Sequence, residues 1–395
     1  MPGCPTSTEP PPAHLRELLR TFPAVLVVGP RQCGKSTLVR KVLPRWRHLD
    51  LERPLDFEVL SADLEGFLIQ NPAHVAFDEA QRLPELFPVL RHVLDTSPRK
   101  GRFVLLGSAS PALLQSASET LSGRVALLEL TPFRAVELAK TKHAGDRWFW
   151  GGYPPVHAQR SDRARSEWLA SYVATFLERD LPMLGLRLPS ARLRTLWTML
   201  THVHGNLLNA SDLARSLCVS SHTVQSYLDV LSATFMVRLL PPYHANVQKR
   251  LTKSPKVYIR DTGLLHFLGG LRRPAELDTW AYRGASFEGM VIEEIVALAE
   301  EREVRPEAFF WRTQAGAEVD LLLATGRELL AVEIKAGASV DASSLRGLKQ
   351  CMTDLGLTRS VVIYTGRERR AIGGGIELVP WDAVVRREID FPFLL

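Results

Sequence analysis

The rhythm of apolar and polar positions divides the chain into three stretches. Up to about residue 140, short apolar runs alternate with helical ones. Strands are predicted at Ala24–Val28, Val75–Phe77, Phe103–Leu106 and Val125–Leu130, and helices at Ser36–Val42 and Leu83–Leu94. That alternation predicts a parallel sheet covered by helices. From about 141 to 275 the period is helical, with an amphipathic run Ser161–Arg179 ending before Pro182 and another at Ala191–Val203. Ser211–Leu217, a turn Cys218–Ser221 and His222–Leu231 then form a helix-turn-helix pattern, with Ser211 and Ser221 as the expected caps. Val237–Leu240 and Lys256–Ile259 are the expected strands of a wing. After about 276 come a helix at Phe287–Glu300, strands at Phe309–Arg312, Glu318–Leu323 and Leu329–Ile334, a helix at Ser344–Asp354 and a strand at Ser360–Tyr364. Pro241–Pro242 and Arg272–Pro274 are expected joints, and no internal repeat stands out.

Composition adds a little. The 395 residues are 46% hydrophobic and 23% charged, ordinary values for a folded chain, and suggest several domains. A formal charge of +6 permits nucleic acid as a partner without demanding it. The four cysteines, Cys4, Cys33, Cys218 and Cys351, show neither metal-ligand spacing nor a disulfide framework, which fits a reducing compartment. No apolar run approaches a membrane span, and residues 1–13 read as a disordered leader without a signal core. A soluble, cytoplasmic protein is expected.

The sharpest chemistry lies at Gly29-Pro30-Arg31-Gln32-Cys33-Gly34-Lys35-Ser36, followed by Thr37. It matches a P-loop between a strand and a helix, where glycines let backbone N–H groups wrap phosphates and the helix start adds its positive end. Lys35 is expected on the β- and γ-phosphates of ATP and Ser36 on Mg²⁺. Cys33 is expected to be a small filler. The apolar strand ending in Asp78-Glu79 supplies a second half, Asp78 for the metal and Glu79 for the attacking water. Ser108, after the third strand, is a candidate contact to the γ-phosphate or lytic water, or else a helix N-cap before Pro111. Arg124, at the start of a strand, is a candidate arginine finger on a neighbouring subunit, or else a solvated arginine.

Two further constellations follow. In the helix-turn-helix, the polar positions His222, Thr223, Gln225 and Ser226 can hydrogen-bond bases or phosphates. Beyond them Gln248, Lys249, Arg250, Lys253 and Lys256 make a basic stretch suited to a phosphate backbone, or a solvated face. In the last stretch, a hairpin folded at Gly326 sets Asp320 opposite Glu333, with Lys335 on the same face as Glu333. Two carboxylates and an ammonium of this kind can hold Mg²⁺ or Mn²⁺ and steady a hydrolytic water. Glu288, beside an apolar helical stripe, points inward and needs a partner. The bland alternative is a strand edge with an ion pair.

The whole order of motifs resembles a prokaryotic family of predicted ATPases, an AAA-like P-loop domain followed by a winged helix and a C-terminal DUF4143 domain. The resemblance rests on Gly29–Leu38, Phe77-Asp78-Glu79-Ala80-Gln81, Leu106–Ser110, Leu121-Ser122-Gly123-Arg124, Gly151-Gly152-Tyr153-Pro154, Phe176–Asp180, Asp261-Thr262-Gly263-Leu264, Phe287-Glu288, Glu318–Asp320 and Glu333–Lys335. It implies an α/β chain with a P-loop ATPase core at 14–140, a helical lid or linker at 141–190, a winged helix-turn-helix at 191–275 and a restriction-endonuclease-like domain at 276–395. It also implies a site at Asp320, Glu333 and Lys335, with Glu288 in the helix position; Val319 stands where that motif usually has proline. The expected function is an ATP-hydrolysing DNA motor or remodeller acting on branched DNA, hexameric by analogy with ring ATPases. An ATP-regulated, metal-dependent endonuclease and a nucleotide-controlled switch are the alternatives.

Overall fold

The computed structural model describes residues 11–97, 99–108, 117, 119–183, 189–244, 254–300 and 306–388. They fall into two compact units. One holds the residues up to Pro132 together with Val230–Met236, and the other holds Phe133–Asp229 and the residues from Val237 onward.

The first unit is built on five parallel strands: β1 (Ala24–Gly29), β2 (Arg47–Asp50), β3 (Val75–Asp78), β4 (Phe103–Ser108) and β5 (Val125–Glu129), in the order β2-β3-β4-β1-β5. Every residue of β1 is buried, as a strand covered on both faces requires. One apolar layer gathers Leu26, Val28, Phe77, Leu105 and the helix Leu86–Thr96; the opposite layer gathers Val25, Val27, Val104, Leu128 and the helix Pro11–Thr21. That last helix begins inside the expected leader, because Leu15, Leu18 and Leu19 form a buried stripe. The strand β2 and the helices Pro54–Ala62 and Leu64–Gln70 are additions to the expected elements. β2 escapes notice because its sequence, Arg47-His48-Leu49-Asp50, is mostly polar and buries only Leu49.

The second unit carries two sheets. The smaller has β6 (Asn206–Leu207), β7 (Val237–Leu240) and β8 (Lys256–Ile259), antiparallel in the order β6-β8-β7, beside the helices Ala210–Leu217 and Ser221–Ala233. The caps differ by one or two residues from those expected. Asn209, not Ser211, accepts from the Ser211 and Asp212 N–H groups, and Ser220, not Ser221, accepts from Thr223 N–H. In each case the oxygen must precede the helix to reach its unspent N–H groups.

The larger sheet is mixed. It runs β13 (Arg370–Ala371), β14 (Ile376–Pro380), β12 (Ser360–Tyr364), β11 (Glu328–Lys335), β10 (Glu318–Thr325), β9 (Glu307–Arg312). One face packs the helix Arg283–Ala299 through Phe287, Val291 and Ile295, and the other packs Arg346–Leu355 through Leu348 and Cys351. β10 and β11 form the expected hairpin, with Thr325 opposite Glu328 and Leu321 opposite Val332. Gly326 sits in the turn at φ +59°, which favours glycine.

Candidate functional site

Parallel strands in one sheet end at one edge, and the candidate nucleotide residues converge there. Gly29 pairs in register with Ser108, and Phe77, Leu105 and Leu26 lie across one line of the sheet, so Asp78 follows one residue further toward the same edge. Gly29 is obligatory: a Cβ would stand 2.2 Å from the carbonyl oxygen of Leu130. Gln32 and Gly34 both adopt positive φ, +61° and +106°, the left-handed turns that let a loop curl its backbone N–H groups around an anion. Gly34 borders open space and leads into the helix Lys35–Val42, whose first N–H groups have no side-chain cap. Such a helix start suits an anion.

Lys35 is buried and donates to the carbonyls of Gly29 (3.0 Å) and Pro30 (2.9 Å), folded back over the loop it closes. Arg31 pairs with Glu52 at 3.9 Å, Gln32 and Thr37 are exposed, and Cys33 is buried against Gly29. Burial raises the Cys33 thiol pKa despite the neighbouring Lys35, which suits a filler rather than a nucleophile. Asp78 accepts a hydrogen bond from Ser36, so the two expected metal ligands are neighbours. Burial, opposed by that bond, raises the Asp78 carboxyl above its ordinary range. Glu79 stands in the left-handed region at φ +53°, its N–H on Asp78 Oδ1 at 3.0 Å, and its carboxylate accepts from the Gln81 amide. Gln81 therefore holds the Glu79 carboxylate. Its signal in the sequence was its place two residues after Glu79 on a tight turn.

Arg124 lies at the other end of the strands, where Ala24 N–H donates to its carbonyl at 3.3 Å. Its guanidinium pairs with Asp95, Nη2 to Oδ2 at 3.0 Å, and Nη1 donates to Ser122 O at 2.8 Å. Within its own chain it is thus remote from the P-loop.

The carboxylates of the C-terminal sheet do converge, but around a lysine. Lys256, expected in a basic stretch that either grips a phosphate backbone or is solvated, is only 1% exposed; its ammonium lies 2.5 Å from Glu318, 3.0 Å from Glu288 and 3.6 Å from Asp320. The other members of that stretch, Gln248, Lys249, Arg250 and Lys253, lie outside the described residues. Tyr258 donates to Glu288 at 2.5 Å. Asp320 accepts the Ile334 N–H at 2.8 Å across the hairpin, and Lys335 donates to Glu333 at 2.5 Å. Burial works against the charge on Lys256, yet the surrounding carboxylates, Glu288 foremost, hold its pKa well above the ordinary value. Burial and the Asp320 charge push Glu288 up to about 7 and Glu333 up to about 8. The signal for the burial of Lys256 was its place as the first residue of a strand that is otherwise apolar.

On the helix Ser221–Ala233, His222 and Gln225 are exposed and Thr223 and Ser226 half-buried. Gln225 donates to Asp229 at 2.9 Å, so this face carries a carboxylate as well.

Comparison with known proteins places these units. Residues 21–139 match the AAA domain family, residues 141–275 a domain of unknown function (DUF8612) and residues 283–384 another (DUF4143). The chain is 42% identical over 377 residues to uncharacterized proteins of Mycobacterium tuberculosis (Rv2008c) and Mycobacterium bovis (Mb2031c), covering 94% of this chain and 83% of each relative. Among solved structures, the Walker-type ATPase of Pyrococcus abyssi is 15% identical, covers 65% of this chain and 94% of its own, and has a TM-score of 0.46. No helix among the described residues is long and apolar enough to cross a membrane. With an AAA domain ahead of a DUF4143 domain, this chain belongs to the family of AAA-like P-loop ATPases that carry a DUF4143 domain at the C-terminus.

Proposed function

We propose that the protein binds and hydrolyses ATP at the Gly29–Thr37 loop and uses turnover to act on DNA as a motor or remodeller, branched DNA being the expected substrate. The observation that carries the ATPase half is the hydrogen bond between Ser36 and Asp78 at the edge where the P-loop opens. The residues fit Mg²⁺ and a triphosphate: a hydroxyl and a carboxylate already adjacent, a glycine hollow that a Cβ at Gly29 would distort, and an uncapped helix start. Ser36 and Asp78 would hold the metal, which when bound offsets charge on the β- and γ-phosphate oxygens. Lys35 would exchange its loop carbonyls for phosphate oxygens. Glu79 would orient the attacking water and take its proton, with Gln81 fixing the carboxylate.

The DNA half rests on the polar face His222, Thr223, Gln225 and Ser226 of a helix that follows a short turn, the arrangement of a winged helix-turn-helix. Asp229 on that face narrows the choice to contacts in which Gln225 and His222 lead. A hexameric ring with Arg124 as a trans finger belongs to the same reading, and requires the Arg124–Asp95 pair to open.

A second reading has a specific observation behind it. If the C-terminal sheet with its helix is a restriction-endonuclease-like core, Lys256 already satisfies its acids Glu288, Glu318 and Asp320. An ammonium in that position favours a domain that binds without cutting, and so a nucleotide-controlled switch over an Mg²⁺- or Mn²⁺-dependent endonuclease.

The deciding experiment is ATP turnover at low salt with Mg²⁺, with and without single-stranded, duplex, forked and four-way DNA, the same samples being run for cleavage. Stimulation by one DNA shape without cutting supports the motor reading. Slow turnover indifferent to every DNA moves the assignment to the switch. Cutting that disappears in Asp320→Ala and survives Lys35→Ala would restore the nuclease.

A further inference from the structure

A further group of metal donors shares no residue with either site described above. His143, Asp146 and His157 bring one donor atom each to within 4.8 Å of one another, the one such group of three among the described residues. Both histidines are buried, at 5% and 2% exposure. His157 Nε2 lies 2.9 Å from the carbonyl oxygen of Gly151; a carbonyl only accepts, so Nε2 carries the proton and Nδ1 presents its lone pair. That Nδ1 is buried without a partner.

An imidazole whose far N–H donates to a backbone carbonyl, leaving the near nitrogen bare, is the arrangement metal-bound histidines adopt. His143 stands beside it. Without an ion its Nδ1 donates to Asp146 Oδ2 at 2.8 Å, a proton that a cation bound by both would displace, and its ring centre is 5.2 Å from that of His157, at 66°. Two imidazoles on one tetrahedral zinc, at about 2.0–2.1 Å from metal to nitrogen, put their ring centres about 5 Å apart.

We propose that His143, Asp146 and His157 bind a single zinc-class divalent cation, with the fourth position left to water or another small ligand. Two imidazoles and one carboxylate select zinc, cobalt or nickel over magnesium and calcium, which take oxygen ligands. Arg165 Nη2 already lies 3.0 Å from Asp146 Oδ2 and Arg147 acts on His157 through space, so the cation competes with positive charge and binds with modest affinity. The local fold explains what a metal would do: the stretch from 140 to 158 has only two four-residue helices, Arg147–Trp150 and Pro154–His157, and a shared ion ties its ends together.

The test uses the full chain, stripped with a chelator and titrated with Co²⁺ as a spectroscopic probe and then with Zn²⁺ as competitor. The expected result is one Co²⁺ per chain with the strong visible bands of tetrahedral cobalt, abolished by Zn²⁺. Affinity should fall at least about tenfold in His157→Ala and in His143→Gln, and stay unchanged in Asp320→Asn. Circular dichroism screens each variant for folding, and the half of the pair that folds suffices. No cobalt bound by the wild type overturns the proposal. So does binding that survives a folded histidine variant, or binding lost only in Asp320→Asn.

Discussion

Lys256 Nζ lies 3.0 Å from Glu288 Oε1, the lysine fully buried and the glutamate half-buried, in a cluster that also takes in Glu318 and Asp320. Removing one partner of such a buried network strands the others, at a cost of roughly 3–5 kcal/mol. Lys256→Met should therefore destabilise the chain strongly at pH 8. Glu288 and Glu333 already take up protons near neutrality, so the loss should shrink by pH 6, where neutral carboxyls need no cation. Urea denaturation of wild type and variant at both pH values checks this. An equal loss at the two would mean that the lysine packs there without neutralising the acids.

At the nucleotide edge, Gln81 donates to the Glu79 carboxylate. If Glu79 handles the attacking water, Glu79→Gln should cut ATP turnover at least about a hundredfold and leave nucleotide binding intact. Gln81→Ala should lower kcat about tenfold with KM little changed, because it loosens a carboxylate without touching the phosphate cradle. A rise in KM with constant kcat would instead assign Gln81 to nucleotide binding.

Lys35→Ala and Gly29→Ala separate two features of the loop. The first removes the ammonium and leaves the backbone cradle, so ATP binding should weaken while the fold persists. The second drives a methyl to 2.2 Å from Leu130 O and must shift the loop itself. Both should abolish turnover, and only the second should lower the melting midpoint by several degrees. Equal stability of the two variants would show that the loop yields easily.

Asp261 accepts the N–H of Gly152 at 2.7 Å and of Leu264 at 3.0 Å, binding two motifs 109 residues apart. Gly151 and Gly263 complete the contact: a Cβ on the first would meet Asp261 Oδ1 at 2.2 Å, and on the second Trp150 O at 2.3 Å. Asp261→Ala leaves two buried N–H groups unpaired, at a cost of about 2–4 kcal/mol. A change below about 1 kcal/mol in the denaturation midpoint would show that water replaces the carboxylate.

These contacts mark the boundary of what the sequence revealed. The P-loop strand was legible because Ala24–Val28 is an unbroken apolar run ahead of a glycine pattern, and the β10–β11 hairpin because Gly326 centres two apolar strands. β2 was not, since three of its four residues are polar. Lys256 was read as part of a basic stretch, suited to a phosphate backbone or else solvated, because it follows Lys249, Arg250 and Lys253 in the chain. Its true partners, Glu288, Glu318 and Asp320, come from 32 to 64 residues further on and meet it only through the fold. Local pattern carries elements; a charge's environment depends on which distant acids the fold brings to it.

The buried histidines give the clearest dependence on pH. His266 donates from Nδ1 to Phe149 O at 2.8 Å and accepts at Nε2 from Ser286 Oγ at 2.7 Å, while Trp148 Nε1 donates to the same Ser286 oxygen at 3.1 Å. The chain of donors fixes the neutral tautomer, and a second proton on the ring would oppose the Ser286 hydroxyl. Burial lowers the His266 pKa to about 4, from about 6.5 in the unfolded chain. Between those values the unfolded state binds more protons, so this stabilising contribution is complete above pH 6.5 and is lost as pH falls toward 4. The loss from this one group is about 2 kcal/mol at pH 5. Glu288 and Glu333, whose pKa values are raised, act in the opposite sense over pH 8 to 4.5, so the raw stability curve mixes the two. The difference between wild type and His266→Gln isolates the histidine: the cost of the substitution should narrow by about 2 kcal/mol between pH 7.5 and pH 5. A difference that stays flat across that range would place the folded-state pKa of His266 near its ordinary value and remove burial as its dominant influence.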